Sequence, residues 1–154
     1  MSTAKLEKFI KYIIYLTALM PLVIFSDFIS PFHFGKVVVF RSVIEILTIF
    51  YIALIIKDRR FLPKTSPLFW AITLFVGAFG LTSLTSISPY QSFMGTLERM
   101  GGWFTFVHFW LFFVMLISIL RKKEDWIRLI EISVIVSLLS TFYGFLQKTD
   151  ASFI

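Results

Sequence analysis

Two windows of this sequence, Val37 to Ile56 and Trp103 to Leu120, are apolar nearly all the way round a helix. That feature constrains the fold more than any other, because a helix in a water-soluble domain hides one apolar stripe and shows a polar face. A helix with no polar face needs lipid around it. Composition points the same way: 58% of the 154 residues are apolar, 20 are Phe, and the mean hydropathy is +0.87. These values lie well beyond the usual share for a soluble domain. The chain reads as an all-α polytopic membrane protein with about five transmembrane helices.

Residues 1–154 read as a single transmembrane domain, with spans at about 12–29, 37–56, 66–84, 103–120 and 126–146. The first opens on Lys5, Lys8 and Lys11 and is read as uncleaved, because Phe25-Ser26-Asp27-Phe28 offers no small-residue cleavage site. Pro21 marks a kink near its far end. Pro and Gly in the stretch Ser30 to Lys36 form a turn, and Lys57-Asp58-Arg59-Arg60 closes the second span. From Thr85 to Gly102 the chain is too polar, and too broken by Ser88-Pro89 and Gly95, for an ordinary span, yet it keeps Tyr90, Phe93, Met94, Leu97 and Met100. An interfacial or re-entrant segment between the third and fourth spans fits that pattern.

Basic residues resist translocation, so alternate connections reveal orientation. One side collects Lys5, Lys8, Lys11, Lys57, Arg59, Arg60, Lys64, Arg121, Lys122, Lys123 and Arg128; the other has Lys36, Arg41, Arg99 and Lys148. Eleven against four places the N-terminus in the cytoplasm and the 86–102 segment outside. An odd number of spans and an external end predict that the chain is the front part of a longer protein.

The formal charge of +6 does not signal nucleic acid, since the basic residues fall in short clusters between apolar runs rather than along one face. There is no cysteine, which excludes disulfides and thiolate chemistry. With His33 and His108 as the only imidazoles and no acidic cluster at ligand spacing, neither a metal nor a cofactor is expected.

Several residues need more than lipid to explain them. Arg41 and Glu45 stand four apart on one helix face, and each mid-span charge costs roughly 2.5–3.5 kcal/mol on insertion scales. Either they form a local ion pair that locks the helix to its neighbours, or Arg41 faces a polar cavity and binds an anion while Glu45 orients it. Arg99 sits beside Gly101 and Gly102 where the fourth span begins. Glycine lets the backbone approach a ligand, helix N-terminal N–H groups point at it, and guanidinium matches phosphate oxygens. The alternative is a headgroup-level anchor with a flexible start to the helix. Lys36 is a phosphate partner or an interfacial cation. His108, inside the fourth span, is an interhelical hydrogen-bonding group or a catalyst, and Trp70, Trp103 and Trp126 suit span boundaries.

Two stretches then acquire a common reading. The first runs from Phe34-Gly35-Lys36 through Phe40-Arg41 to Glu45, followed by the basic loop and Phe61-Leu62-Pro63-Lys64. The second is Ser88-Pro89-Tyr90-Gln91-Ser92-Phe93, then Glu98-Arg99-Met100 and Gly102, with His108 a short way on. Together with Tyr143-Gly144 and Gln147, they make the chain resemble the N-terminal part of the O-antigen ligase and polymerase-like family of bacterial envelope glycosyltransferases. Departures stand at Met94, Thr96 and Gly101. The resemblance implies a protein of ten or more spans in the bacterial inner membrane, with a long periplasmic loop carrying further Arg and His groups. The 154 residues alone are then expected to be inactive.

The implied reaction moves a glycan from a polyprenyl diphosphate to a hydroxyl of lipid A core, another glycan or a protein, without a metal. Arginines hold the diphosphate leaving group while a base takes the acceptor proton. The implied substrate-binding residues are Arg99 first, Arg41 second and Lys36 third, with Glu98 and Glu45 orienting the arginines and Ser92 and Gly102 completing the set. His108 is the candidate base. The competing reading is a non-enzymatic multi-pass protein, a transporter or assembly subunit, whose charged pair only knits helices together.

Overall fold

The computed structural model describes residues 2–23, 34–96 and 99–149, and every regular element among them is helical. The helices are α1 (Thr3–Thr17), α2 (Phe34–Lys57), α3 (Pro67–Leu84), α4 (Pro89–Met94), α5 (Trp103–Ile119) and α6 (Lys123–Thr149), with single 3₁₀ turns at Met20–Leu22 and Arg59–Phe61. Three of them, α2, α3 and α6, are long and apolar enough to cross a membrane. The 17-residue α5, about 25 Å long, is a shorter apolar helix.

Local chemistry sets the boundaries. Ser2 caps α1 by accepting from the Lys5 amide at 3.4 Å. Ser66 does the same for α3 from Phe69 at 3.1 Å, followed by Pro67, whose missing N–H costs nothing at a helix start. Asp58 ends α2 by taking the Arg60 amide and a forked pair of bonds from its guanidinium, and this hydrogen bonding holds the Asp58 carboxyl below its ordinary range. The first helix departs from the span expected at about 12–29: it starts at Thr3 and stops at Thr17. The reason is Pro21, whose ring would clash with the carbonyl four residues back, that of Thr17. At 15 residues α1 is about 22 Å long, short of the roughly 30 Å hydrocarbon core; the 3₁₀ turn Met20–Leu22 follows it, and residues 24–29 of the expected span lie outside the described residues.

The packed centre is α2, which meets α1 on one side and α5 on another, while α5 also meets α3. Leu6, Ile10 and Ile14 recur every four residues on α1 and are buried against Ile44, Leu47 and Leu54 of α2 and Met115 and Ile119 of α5. Between apolar helices in lipid no water is released, so van der Waals contact and interhelical hydrogen bonds hold the pairs together. Tyr51 on α2 holds its one hydroxyl proton between two acceptors, Ser118 Oγ (2.8 Å) on α5 and the Phe61 carbonyl (3.1 Å). Tyr51→Phe is therefore expected to cost about 1 kcal/mol, read as a lower thermal midpoint in detergent micelles; an unchanged midpoint would remove Tyr51 as a helix connector.

Indole groups add two further ties to α3. Trp103 Nε1 donates to the Val76 carbonyl at 2.8 Å, and its ring lies over Gly80, where a Cβ would stand 2.8 Å from Nε1. Trp110 Nε1 reaches Thr73 Oγ1 at 3.0 Å. Trp103 thus holds a helix pair as well as standing at a span boundary.

At one end of the bundle, the connections 57–66 and 120–123 are joined by Arg121, which donates to the Arg60 and Leu62 carbonyls over the Phe61 ring. Lys11 bonds Asp125 at 2.9 Å and ties α1 to the first turn of α6. Beyond that turn α6 is almost wholly exposed, lined by residues such as Ile130, Val134, Leu138 and Phe142. The opposite end carries the short α4, packed on α3 and α5, and the loop that leads into α5.

Candidate functional site

That loop is shaped by two glycines. Gly95, ending α4, has φ +86° and ψ 179°, a region that only glycine occupies readily. Gly102, the N-cap of α5, lies so close to the backbone of Gly95 and Phe93 that neither residue has room for a Cβ. The chain therefore doubles back between them, and Met100 takes a positive φ of 46°, the single non-glycine residue to do so among the described residues.

The reason Met100 holds this conformation lies in what its carbonyl meets. The Thr105 hydroxyl, in the first turn of α5, donates to it, and Arg41 from α2 donates to it through Nη2 at 3.0 Å. The same guanidinium also donates to Thr105 Oγ1, and its carbon lies 4.9 Å from the centroid of the Phe104 ring. Arg41 is 92% buried, and its Nε has no partner. Phe104 in turn packs against Phe93 (5.8 Å, nearly parallel) and His108 (4.6 Å, edge to face).

His108 lies one turn further along α5 and is buried. Its Nδ1 is 2.7 Å from the Phe104 carbonyl and its Nε2 is 3.2 Å from Glu45 Oε1. A carbonyl can only accept, so Nδ1 must carry a proton. The Nε2–Oε1 contact then places the second ring nitrogen against the Glu45 carboxyl and links α5 to α2. Glu45 is over half exposed at the surface of this chain.

The two stretches singled out in the sequence are thus joined twice, through Arg41 to Met100 and Thr105, and through Glu45 to His108. Of the two readings for Arg41 and Glu45, the geometry contains a third: each partners α5 or its approach, and no ion pair joins the two to each other among the described residues. Arg99 is exposed and makes no hydrogen bond or ion pair with another described residue, so the buried Arg41 orders the backbone that carries the free Arg99. Ser92 donates to Ser86 Oγ at 2.8 Å within the α4 region. Lys36 stands apart from this group and donates to the Pro21 carbonyl at 2.8 Å. Glu98 lies outside the described residues. No group of three His, Asp or Glu side chains stands together as metal ligands do among the described residues.

Sequence reasoning missed Thr105 and Phe104. A hydroxyl three residues after an N-cap glycine was a usable signal for Thr105, because first-turn hydroxyls commonly bond local backbone. Phe104, one of 20 Phe in the chain, carried none.

The fold and the apolar helices define an all-helical membrane protein. Comparison with family models, with curated proteins and with solved structures finds no match to this chain.

Proposed function

We propose that this chain is part of a membrane glycosyltransferase of the O-antigen ligase or polymerase type, acting on the outer face of a bacterial inner membrane. The observation that carries the reading is the Arg41 clamp: a buried guanidinium from α2 holds the carbonyl next to Arg99 and so fixes the loop that presents it. In this reading the N-terminus is cytoplasmic and five segments cross, and α4 with the 95–102 loop lies at the periplasmic interface. Arg99 then meets the diphosphate of a polyprenyl-linked glycan as negative charge builds on the leaving group. The exposed Arg99 makes no hydrogen bond with another described residue, whereas Nη2 of the buried Arg41 is committed to Met100 and Thr105. The His108–Glu45 pair is suited to passing a proton to or from the acceptor hydroxyl.

In the full-length protein, Arg99→Ala is expected to lower glycan transfer about 100-fold or more while membrane insertion and thermal stability stay at the parent level. Gel ladders of surface glycan from a complemented deletion strain would read this. Unchanged ladders with no accumulating lipid-linked precursor would count against the enzyme.

One observation favours a second reading, a non-catalytic transporter or assembly subunit. Arg41 and Glu45 both bond to α5 or its approach, as helix-knitting residues do. Under that reading Arg41 substitutions disturb assembly, and Arg99→Ala changes no glycan phenotype.

A further inference from the structure

The membrane-embedded surface contains a second polar constellation, away from the Arg41 clamp. Lys36 lies five residues before Arg41 on α2, about 140° round the helix, and so presents to a different neighbour. It lines a cavity of about 390 Å³ together with Pro21 and Leu22 of the turn after α1 and Ser140, Tyr143 and Gln147 of α6.

The polar groups around this cavity have donors to spare. The Lys36 ammonium has three N–H groups, and the Pro21 carbonyl takes one. The Tyr143 hydroxyl accepts from Gln147 Nε2 at 3.1 Å, which leaves its own proton free. Ser140 is the sharpest indication. Hydroxyls inside a membrane helix ordinarily return their proton to the carbonyl four residues back, as Ser133 does to Leu129 and Thr141 does to Ser137, each at 2.8 Å. Ser140 Oγ is buried and makes no such bond, nor any other. No carboxylate is among the described residues that line the cavity.

With the Lys36 ammonium, the Tyr143 hydroxyl and the unpartnered Ser140 hydroxyl all on its described lining, the site offers cation and donors together, and these select a ligand rich in acceptors and carrying a negative charge. Its volume is at the lower end of small-molecule sites, roughly 300–1,000 Å³, and exceeds what a bare ion fills. Pro21 and Leu22 add an apolar wall beside the polar one. We propose that this cavity binds a phosphate-bearing headgroup, that of an anionic phospholipid, between α2 and α6. Bound there, the lipid bridges a helix that has few contacts with the rest of the chain. This site is independent of the glycan-transfer reading and stands or falls without it.

Native mass spectrometry of the whole chain, released from micelles doped with phosphatidylglycerol or phosphatidylcholine, tests it. The parent is expected to retain one phosphatidylglycerol and to prefer it over phosphatidylcholine about tenfold. Lys36→Met should lose that preference, Lys36→Arg should keep it, and Ser140→Ala should weaken retention several-fold, with circular dichroism showing each variant still helical. Inorganic phosphate is added as a competitor: displacement of the lipid identifies free phosphate as an equally good occupant, and no displacement identifies the lipid headgroup. Equal retention by the parent, Lys36→Met and Ser140→Ala, or equal retention of both lipids by the parent, overturns the proposal. Should Lys36→Met fail to fold, the Ser140→Ala comparison decides alone.

Discussion

Gly102→Ala is expected to dismantle the loop before α5, while Gly101→Ala, one residue away, is silent. A Cβ at 102 would overlap the backbone of Gly95 and Phe93, and backbone cannot rotate aside as a flexible side chain can. A Cβ at 101 meets nothing within 4 Å. The expected cost at 102 is about 3 kcal/mol, against at most about 0.5 kcal/mol at 101. Gly95→Ala should resemble the 102 variant for a double reason: its φ of +86° with ψ 179° is strained for any side chain, and the new Cβ would lie 2.5 Å from the Gly101 amide. Thermal midpoints in micelles, with protease cutting between 95 and 102 as a local readout, would check the series. Equal midpoints for the 101 and 102 variants would show that the two strands of the loop do not touch.

Arg41→Ala is expected to have a large effect on function and a small one on stability, because two terms nearly cancel. The guanidinium donates two charge-assisted hydrogen bonds, worth roughly 1.5–3 kcal/mol each. Carrying a cation into a membrane helix costs roughly 2.5–3.5 kcal/mol, and alanine removes that cost. The net change in unfolding free energy should therefore be a loss of about 1.5 kcal/mol, within about 2 kcal/mol either way. The loop has no such compensation. Without Arg41, Thr105 alone holds the Met100 carbonyl, and the positive φ of Met100 has less to maintain it. The 99–102 turn should loosen, seen as a severalfold faster modification of a cysteine placed at 99 than in the parent. If Arg99 binds the diphosphate, a misplacement of about 1 Å is enough for a 100-fold loss of transfer. Arg41→Lys should not restore either property, since the lysine ammonium ends one bond short of Nη2, the atom that reaches both Met100 and Thr105, and has no flat face to lie over Phe104. A labelling rate that does not change in Arg41→Ala would mean that the loop is held by its glycines alone.

The two ends of the bundle use the same device. Arg41 clamps the loop before α5 over Phe104, and Arg121 clamps the connection after α2 over Phe61. In both cases loop carbonyls receive a cationic donor, and the donor's flat face is covered by a ring. Arg121 was legible only as a topology signal, because a count of basic residues assigns a side of the membrane and says nothing about which carbonyl a side chain will find.

Much of the secondary structure could be read directly from hydrophobic length. The stretches at 37–56 and 66–84 coincide with α2 and α3 because an apolar run, a capping Ser or Asp, and a Pro or a basic cluster leave few other boundaries. The extent of α1 was misread for want of weight on one residue: Pro21 sets a stop at Thr17, and apolar residues beyond it cannot override a missing donor and a steric clash.

The chain's composition and periodicity by themselves determined that its helices belong in lipid and where α2, α3, α5 and α6 run, since transfer free energy sums along a segment whatever surrounds it. Spacing also marked Arg41, Glu45, Arg99, Gly102 and His108 as residues that lipid does not explain. Tertiary structure alone decided who meets whom: Arg41 takes Met100 and Thr105 rather than Glu45, Glu45 takes His108, and Lys36 goes to a cavity with Ser140. Partners 59 to 104 residues apart in sequence depend on how α2 is rotated against α5 and α6, and that rotation is fixed by the interlocking of many small contacts that no single residue announces.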